Sequence, residues 1–166
     1  LAFIEGLDGL ENIDAIAAAS DRVLGVFIGA EDFSSEVGME PSEIGLMYPN
    51  QRAVFAARKA GVLPLGFVGS IADYSDLDAF RATIRQAKQL GFSGALGIHP
   101  SQIGIMNEEF MPSAGAVEHA TGLLAAYEEG LAAGRGAVEY KGKMIDAPVV
   151  ARAEETLRKH RALQAR

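Results

Sequence analysis

Short, solidly apolar runs alternate along this chain with stretches whose apolar residues recur every three or four positions. Residues 1–4 and 23–28 are such runs, the pattern of parallel strands buried on both faces. Residues 10–19, between them, have helical spacing, so the two strands are joined by a crossover and should be parallel neighbours. A loop containing glycine and proline then leads to a helix over 48–60, closed by Gly61. A third strand, 62–68, passes through the 69–75 loop into a helix over 77–90, closed by Gly91. A fourth, 95–98, runs into His99-Pro100. Strands alternating in this way with helices predict a parallel α/β sheet.

The alternation stops there. Residues 113–133 read as one alanine-rich helix, and 134–144 as a small hairpin turning at Lys141-Gly142. Pro148 opens a last helix over 149–164, whose Arg and Lys residues crowd its end and complement the helix dipole. The expected division is therefore 1–112 for the sheet region and 113–166 for an appended lid or oligomerisation element. The chain opens at Leu1, directly inside the first strand, so further residues upstream are expected.

Two carboxylates stand where the first two strands stop: Glu5, and Asp32 after Gly29-Ala-Glu. Parallel neighbours present their C-terminal ends at one sheet edge, so both should project into the same space. Two hard oxygen ligands suit Mg²⁺, which keeps several waters and needs only one or two protein carboxylates. On spacing alone a solvated strand end is as good an account of Glu5. Glu31 reads equally as a partner beside the metal or as a surface carboxylate.

Composition narrows the classes. With 22 acidic and 15 basic side chains in 166 residues the net charge is −7, and no basic stripe is available for nucleic acid. There is no cysteine, which excludes disulfides and thiolate metal sites. No apolar run has the length of a membrane span and no signal peptide opens the chain, so a cytoplasmic enzyme is the default expectation. Dinucleotide, phosphate-loop and nucleophile-elbow patterns are absent. His99 has no second histidine near it, which disfavours zinc. Arg52 and Arg58 are expected to pair with surface acids, His119 and His160 to lie on polar helix surfaces, and Lys141 and Lys143 to flank a solvated turn. Asp146, two residues before Pro148, reads as a helix cap.

Three segments in order, Gly29-Ala-Glu-Asp-Phe33, Ile98-His-Pro-Ser-Gln-Ile103 and Gly142-Lys-Met-Ile-Asp-Ala-Pro-Val149, resemble the HpcH/HpaI aldolase and citrate lyase family. The resemblance is to its citrate-lyase-beta-like CoA-ester lyases. It implies that the chain supplies strands five to eight, the C-terminal half, of a TIM (β/α)₈ barrel, followed by a helical and hairpin lid. It further implies Mg²⁺ held by Glu5 and Asp32, and a substrate carboxylate held around Ala30, Glu31 and Asp32. Asp146 becomes the proton-transfer residue, acting in a neighbouring subunit of a homo-oligomer. The implied reaction cleaves or forms a 3-hydroxyacyl-CoA of malyl-CoA or citryl-CoA type from an acyl-CoA and a 2-oxo acid. Alternatives are a class II pyruvate aldolase acting on free hydroxy-oxo acids, and a non-catalytic subunit. The family usually writes Thr or Ser after the first metal ligand; this chain has Gly6. It also lacks the acidic residue that many members carry in strand seven, here Leu65-Gly-Phe-Val-Gly69.

Overall fold

The structure, a computed structural model, describes residues 1–72, 74–134 and 137–164. Residue 73 of the expected 69–75 loop and residues 135–136 of the expected hairpin segment lie outside that set. The chain divides into two compact units, Leu1–Phe110 and Met111–Arg166. Among the described residues no helix is long and apolar enough to cross a membrane.

In the first unit, β1 (Ala2–Ile4), β2 (Gly25–Ile28) and β3 (Leu63–Pro64) form one parallel sheet in chain order. Ala2 stands opposite Val26 and Gly25 opposite Leu63. Between β1 and β2 the expected helix is two short ones, α1 (Leu7–Glu11) and α2 (Ile13–Ala17), divided at Asn12. After β2 comes α3 (Ala30–Val37), where only a loop was expected. Its ends are Gly29 and a left-handed Gly38 at φ 77°, the turn that glycine makes without a β-carbon clash.

The helix α4 (Glu43–Ala60) begins five residues earlier than its periodicity suggests and runs through Pro49. Proline removes one backbone donor from a helix. The next side chain, Asn50, is buried and donates from Nδ2 to the Leu46 carbonyl at 2.9 Å. β3 is shorter than the expected 62–68 because Pro64 has no N–H and Gly66 turns the chain at φ 135°. The fourth strand, expected at 95–98, does not form. It is reduced to a single parallel bridge, Leu65 to Gly94, with the Gly66 N–H donating to the Gly94 carbonyl at 2.9 Å. Then α5 (Leu77–Leu90) and α6 (Pro100–Phe110) complete the unit.

The side chains explain the layering. Ile4, Val26 and Ile28 point to one face of the sheet and pack with Ile13, Ala17, Leu46, Ala53 and Ala57 from α2 and α4. Each such large side chain contributes about 1.5–3 kcal/mol by leaving water. Phe67, Phe80, Ile84, Phe92 and Ile105 form a second cluster between α4, α5 and α6. The opposite sheet face is apolar too, yet Leu1, Phe3 and Leu63 remain half exposed there, at 50–55%.

In the second unit, α7 (Ala114–Ala132) starts at Ser113, whose Oγ accepts the Ala116 N–H at 3.1 Å. The hairpin pairs β4 (Val138–Tyr140) with β5 (Lys143–Ile145). Lys141 and Gly142 turn it with φ of 49° and 76°, both left-handed, as a two-residue turn requires. α8 (Ala147–Gln164) follows. Ala120, Leu123, Val138, Ile145 and Ala153 make this unit's own core.

Candidate active site

Glu5 follows the last residue of β1, and Asp32 is the third residue of α3, in its first turn. Both side chains line one cleft of about 170 Å³, together with Phe3, Glu31, Phe67 and Ile71. The strand-end expectation thus brings Glu5 and Asp32 together, with α3 rather than a loop carrying the second carboxylate. Gly29, just before α3, leaves room for this. A β-carbon there would stand 2.6 Å from Glu5 Cγ, so the Glu5 side chain lies across the glycine.

The N–H groups of Ala30, Glu31 and Asp32 precede the first bond of α3, Phe33 N–H to the Gly29 carbonyl at 2.9 Å. Like the first amides of any helix they have no acceptor within it, and such amides can receive an anion. Among the described residues neither Glu5 nor Asp32 is engaged in an ion pair.

Glu31 is different. Its Oε1 accepts the Ser70 hydroxyl, and Ser70 Oγ in turn accepts the Ala72 N–H at 3.0 Å. Glu31 therefore tethers the loop after β3 that carries Ile71 to the cleft. Ser70 was missed in the sequence, where no spacing rule links residues so far apart. Gln102 was missed too: it is buried, and its Oε1 accepts the Ile98 and His99 N–H groups at 2.9 and 3.2 Å. Its signal was present in the quoted Ile98-His-Pro-Ser-Gln-Ile103 segment. His99 stacks on Tyr74, with ring centroids 4.7 Å apart, and its Nδ1 lies 2.8 Å from Ser101 Oγ.

The donor set can be tested against metals. Among the described residues no group of three or more His, Cys, Asp or Glu is placed to cage an ion. Two carboxylates in an open cleft fit Mg²⁺, whose remaining positions water and substrate fill, better than zinc.

Asp146 belongs to the second unit. Its Oδ1 accepts the Val149 N–H at 3.1 Å, so it caps α8 as its position suggested. Arg52 pairs with Asp14 at 3.2 Å, as expected of it. Arg58 instead donates to the Gly91 carbonyl at 2.7 Å and to Ser93 Oγ at 3.1 Å, closing the end of α5. His119 is exposed but leans on Tyr140, with centroids 5.3 Å apart, and both line a second cleft of about 560 Å³ with Lys141, Lys143 and Arg152.

Residues 1–100 match the family described as HpcH/HpaI aldolase/citrate lyase. The chain belongs to that family. Along 98% of its length it is 36% identical to an L-malyl-CoA/beta-methylmalyl-CoA lyase of Cereibacter sphaeroides, covering 56% of that protein. It is 32% identical to the citrate lyase subunit beta of Leuconostoc mesenteroides, over 95% of this chain and 52% of the relative. Among solved structures, CitE of Mycobacterium tuberculosis in complex with magnesium, acetoacetate and coenzyme A superposes with a TM-score of 0.79 at 29% identity. That match covers 96% of this chain and 60% of CitE. This HpcH/HpaI family chain thus shares the α/β fold of the citrate-lyase-beta-like TIM-barrel proteins, and spans about half the length of the curated relatives it matches.

Proposed function

We propose that the chain carries the metal-binding half of a Mg²⁺-dependent carbon–carbon lyase. Its reaction cleaves or forms a 3-hydroxyacyl-CoA of malyl-CoA or citryl-CoA type, with an acyl-CoA and a 2-oxo acid as the two fragments. The observation that carries this reading is the cleft shared by Glu5 and Asp32 beside the unbonded amides that open α3. Similarity to lyases of CoA esters supports it, as does a structural relative holding magnesium and coenzyme A.

Bound Mg²⁺ would polarise the 2-oxo carbonyl as a Lewis acid. Glu5 and Asp32 would hold it through their carboxylate oxygens. The N–H groups of residues 30–32 receive the substrate carboxylate, where the positive end of the α3 dipole favours an anion. Phe3, Phe67 and Ile71 wall the cleft with apolar surface. Asp146 gives or takes the proton at the carbon that becomes or ceases to be the acyl-CoA methyl group. It does so from the lid of a neighbouring subunit in a homo-oligomer. Within the fold, β1 to β3 and the bridge at Gly94 stand for strands five to eight of a barrel, and the half-exposed Leu1, Phe3 and Leu63 are interior side chains of that barrel.

The test is turnover. A protein containing this chain within the complete barrel is incubated with malyl-CoA and related 3-hydroxyacyl-CoAs, with and without Mg²⁺, and release of acyl-CoA is followed. Mg²⁺-dependent release is expected. Turnover of free hydroxy-oxo acids alone would make it a class II pyruvate aldolase. Metal binding without turnover of either class would make it a non-catalytic subunit.

A further inference from the structure

We infer that Glu36 is a positioning residue that sets the spacing between Glu5 and Asp32; this rests on the metal-site reading above. Glu36 lies on α3, one turn beyond Asp32 and therefore on the same side of the helix. Its Oε1 accepts the Leu7 N–H at 2.8 Å. Leu7 opens α1 only two residues after Glu5. A single side chain thus ties the helix that carries one metal ligand to the backbone just beyond the other.

Two glycines show how closely the segments interlock. Gly6 has φ −157°, an extended conformation that any residue adopts, so its backbone does not require glycine. What requires it is space: a β-carbon on Gly6 would run into the Glu36 carboxylate. Across the same edge, a β-carbon on Gly29 would run into Glu5. Glu5 lies over the glycine that precedes α3, and Glu36 lies over the glycine that follows β1. Each segment seats its carboxylate in the gap the other leaves.

The contact matters through what it orients. Groups that hold metal ligands in place typically change metal affinity by about 10–100-fold when removed. The position after Glu5, where the family usually has a hydroxyl, is here cleared for a carboxylate from another element.

The experiment uses the full chain and four variants: Glu36→Ala, Glu36→Gln, Gly6→Ala and Asp32→Ala. Mg²⁺ affinity is measured by calorimetry, Leu7 amide exchange by NMR, and melting by circular dichroism. Gln keeps an oxygen that accepts the Leu7 N–H, whereas the Gly6→Ala methyl pushes Glu36 aside. Glu36→Ala and Gly6→Ala should each weaken Mg²⁺ binding by about tenfold or more. Both should speed Leu7 exchange while melting close to the parent, and Glu36→Gln should restore both readouts. If Asp32→Ala abolishes binding but Glu36→Ala binds like the parent, positioning by Glu36 is wrong and the metal site stands. Equal losses in Glu36→Gln and Glu36→Ala would also overturn it, since charge and not the hydrogen bond would then be responsible. If Asp32→Ala leaves Mg²⁺ binding unchanged, the metal-site reading fails and the inference fails with it.

Discussion

Asp146 caps α8, its Oδ1 accepting the Val149 N–H at 3.1 Å beside its own carbonyl at 3.0 Å, and in the proposed reaction its side chain also moves a proton. The two roles make different demands on the side chain, and one substitution separates them. Serine caps a helix about as well as aspartate, whereas alanine leaves the Val149 N–H only its bond to the backbone carbonyl of residue 146. Asp146→Ala should therefore cost about 1 kcal/mol in the stability of the second unit. Asp146→Ser should melt like the parent. Neither can transfer a proton at neutral pH, so both should lose turnover while binding Mg²⁺ normally. A Ser variant with parental turnover would leave Asp146 as a cap only. Asp32→Ala removes one of the two proposed ligands and should abolish Mg²⁺ binding and turnover together, a result read by calorimetry and the acyl-CoA assay on the same sample.

Glu109 is the hinge pin between elements. From α6 it accepts Arg81 Nη1 at 2.5 Å and Arg85 Nε at 2.9 Å, both from α5. Hydrogen bonds from Arg85 and Arg81 hold its carboxyl at about 2, below the ordinary 4.5. The folded value lies below the unfolded one, so this contact stabilises above the ordinary carboxylate range and is lost as pH falls from 4.5 toward 2. Glu109→Gln should flatten the acid limb of the stability curve in that window, as followed by urea melts from pH 5 to 2. At this scale the sequence was most readable where periodicity ran long. The helix after β3 and the alanine-rich helix of the second unit are where their apolar spacing put them. What it hid was short or irregular. In α3 the apolar positions Ala30, Phe33 and Val37 do have helical spacing, but the glycine and proline content of the stretch before residue 48 suggested a loop. The helix expected from residue 48 begins instead at Glu43 and runs through Pro49, whose side chain is buried while Asn50 Nδ2 donates to the Leu46 carbonyl. The carboxylate pair was legible, since it needs only strand ends. Glu36, Ser70 and Gln102 were not, because each acts through contacts that only the folded chain creates.

For the whole molecule the telling surface is the sheet face that carries Leu1, Phe3 and Leu63. A face this apolar is ordinarily covered, and in the half-barrel reading the other four strands cover it. Replacing Phe3 and Leu63 by serine should leave the melting temperature of the chain nearly unchanged, because both side chains are half exposed here. The same pair should sharply reduce binding of a hydrophobic dye such as ANS. In a protein that contains the complete barrel they should destabilise by about 2–5 kcal/mol each, as buried large-to-small changes do. An equal effect in both settings would count against the half-barrel.

The strand order has a consequence for how the molecule comes into being. β2 pairs with β1, and β3 with β2, so every strand joins one synthesised before it. None has to wait for a later partner to slot between existing neighbours. Parallel pairing is slow when it must close long loops, and adding strands in chain order keeps each closure to the two helices that separate neighbouring strands. The sheet can therefore grow during translation, each new strand adding to the edge made by the one before it.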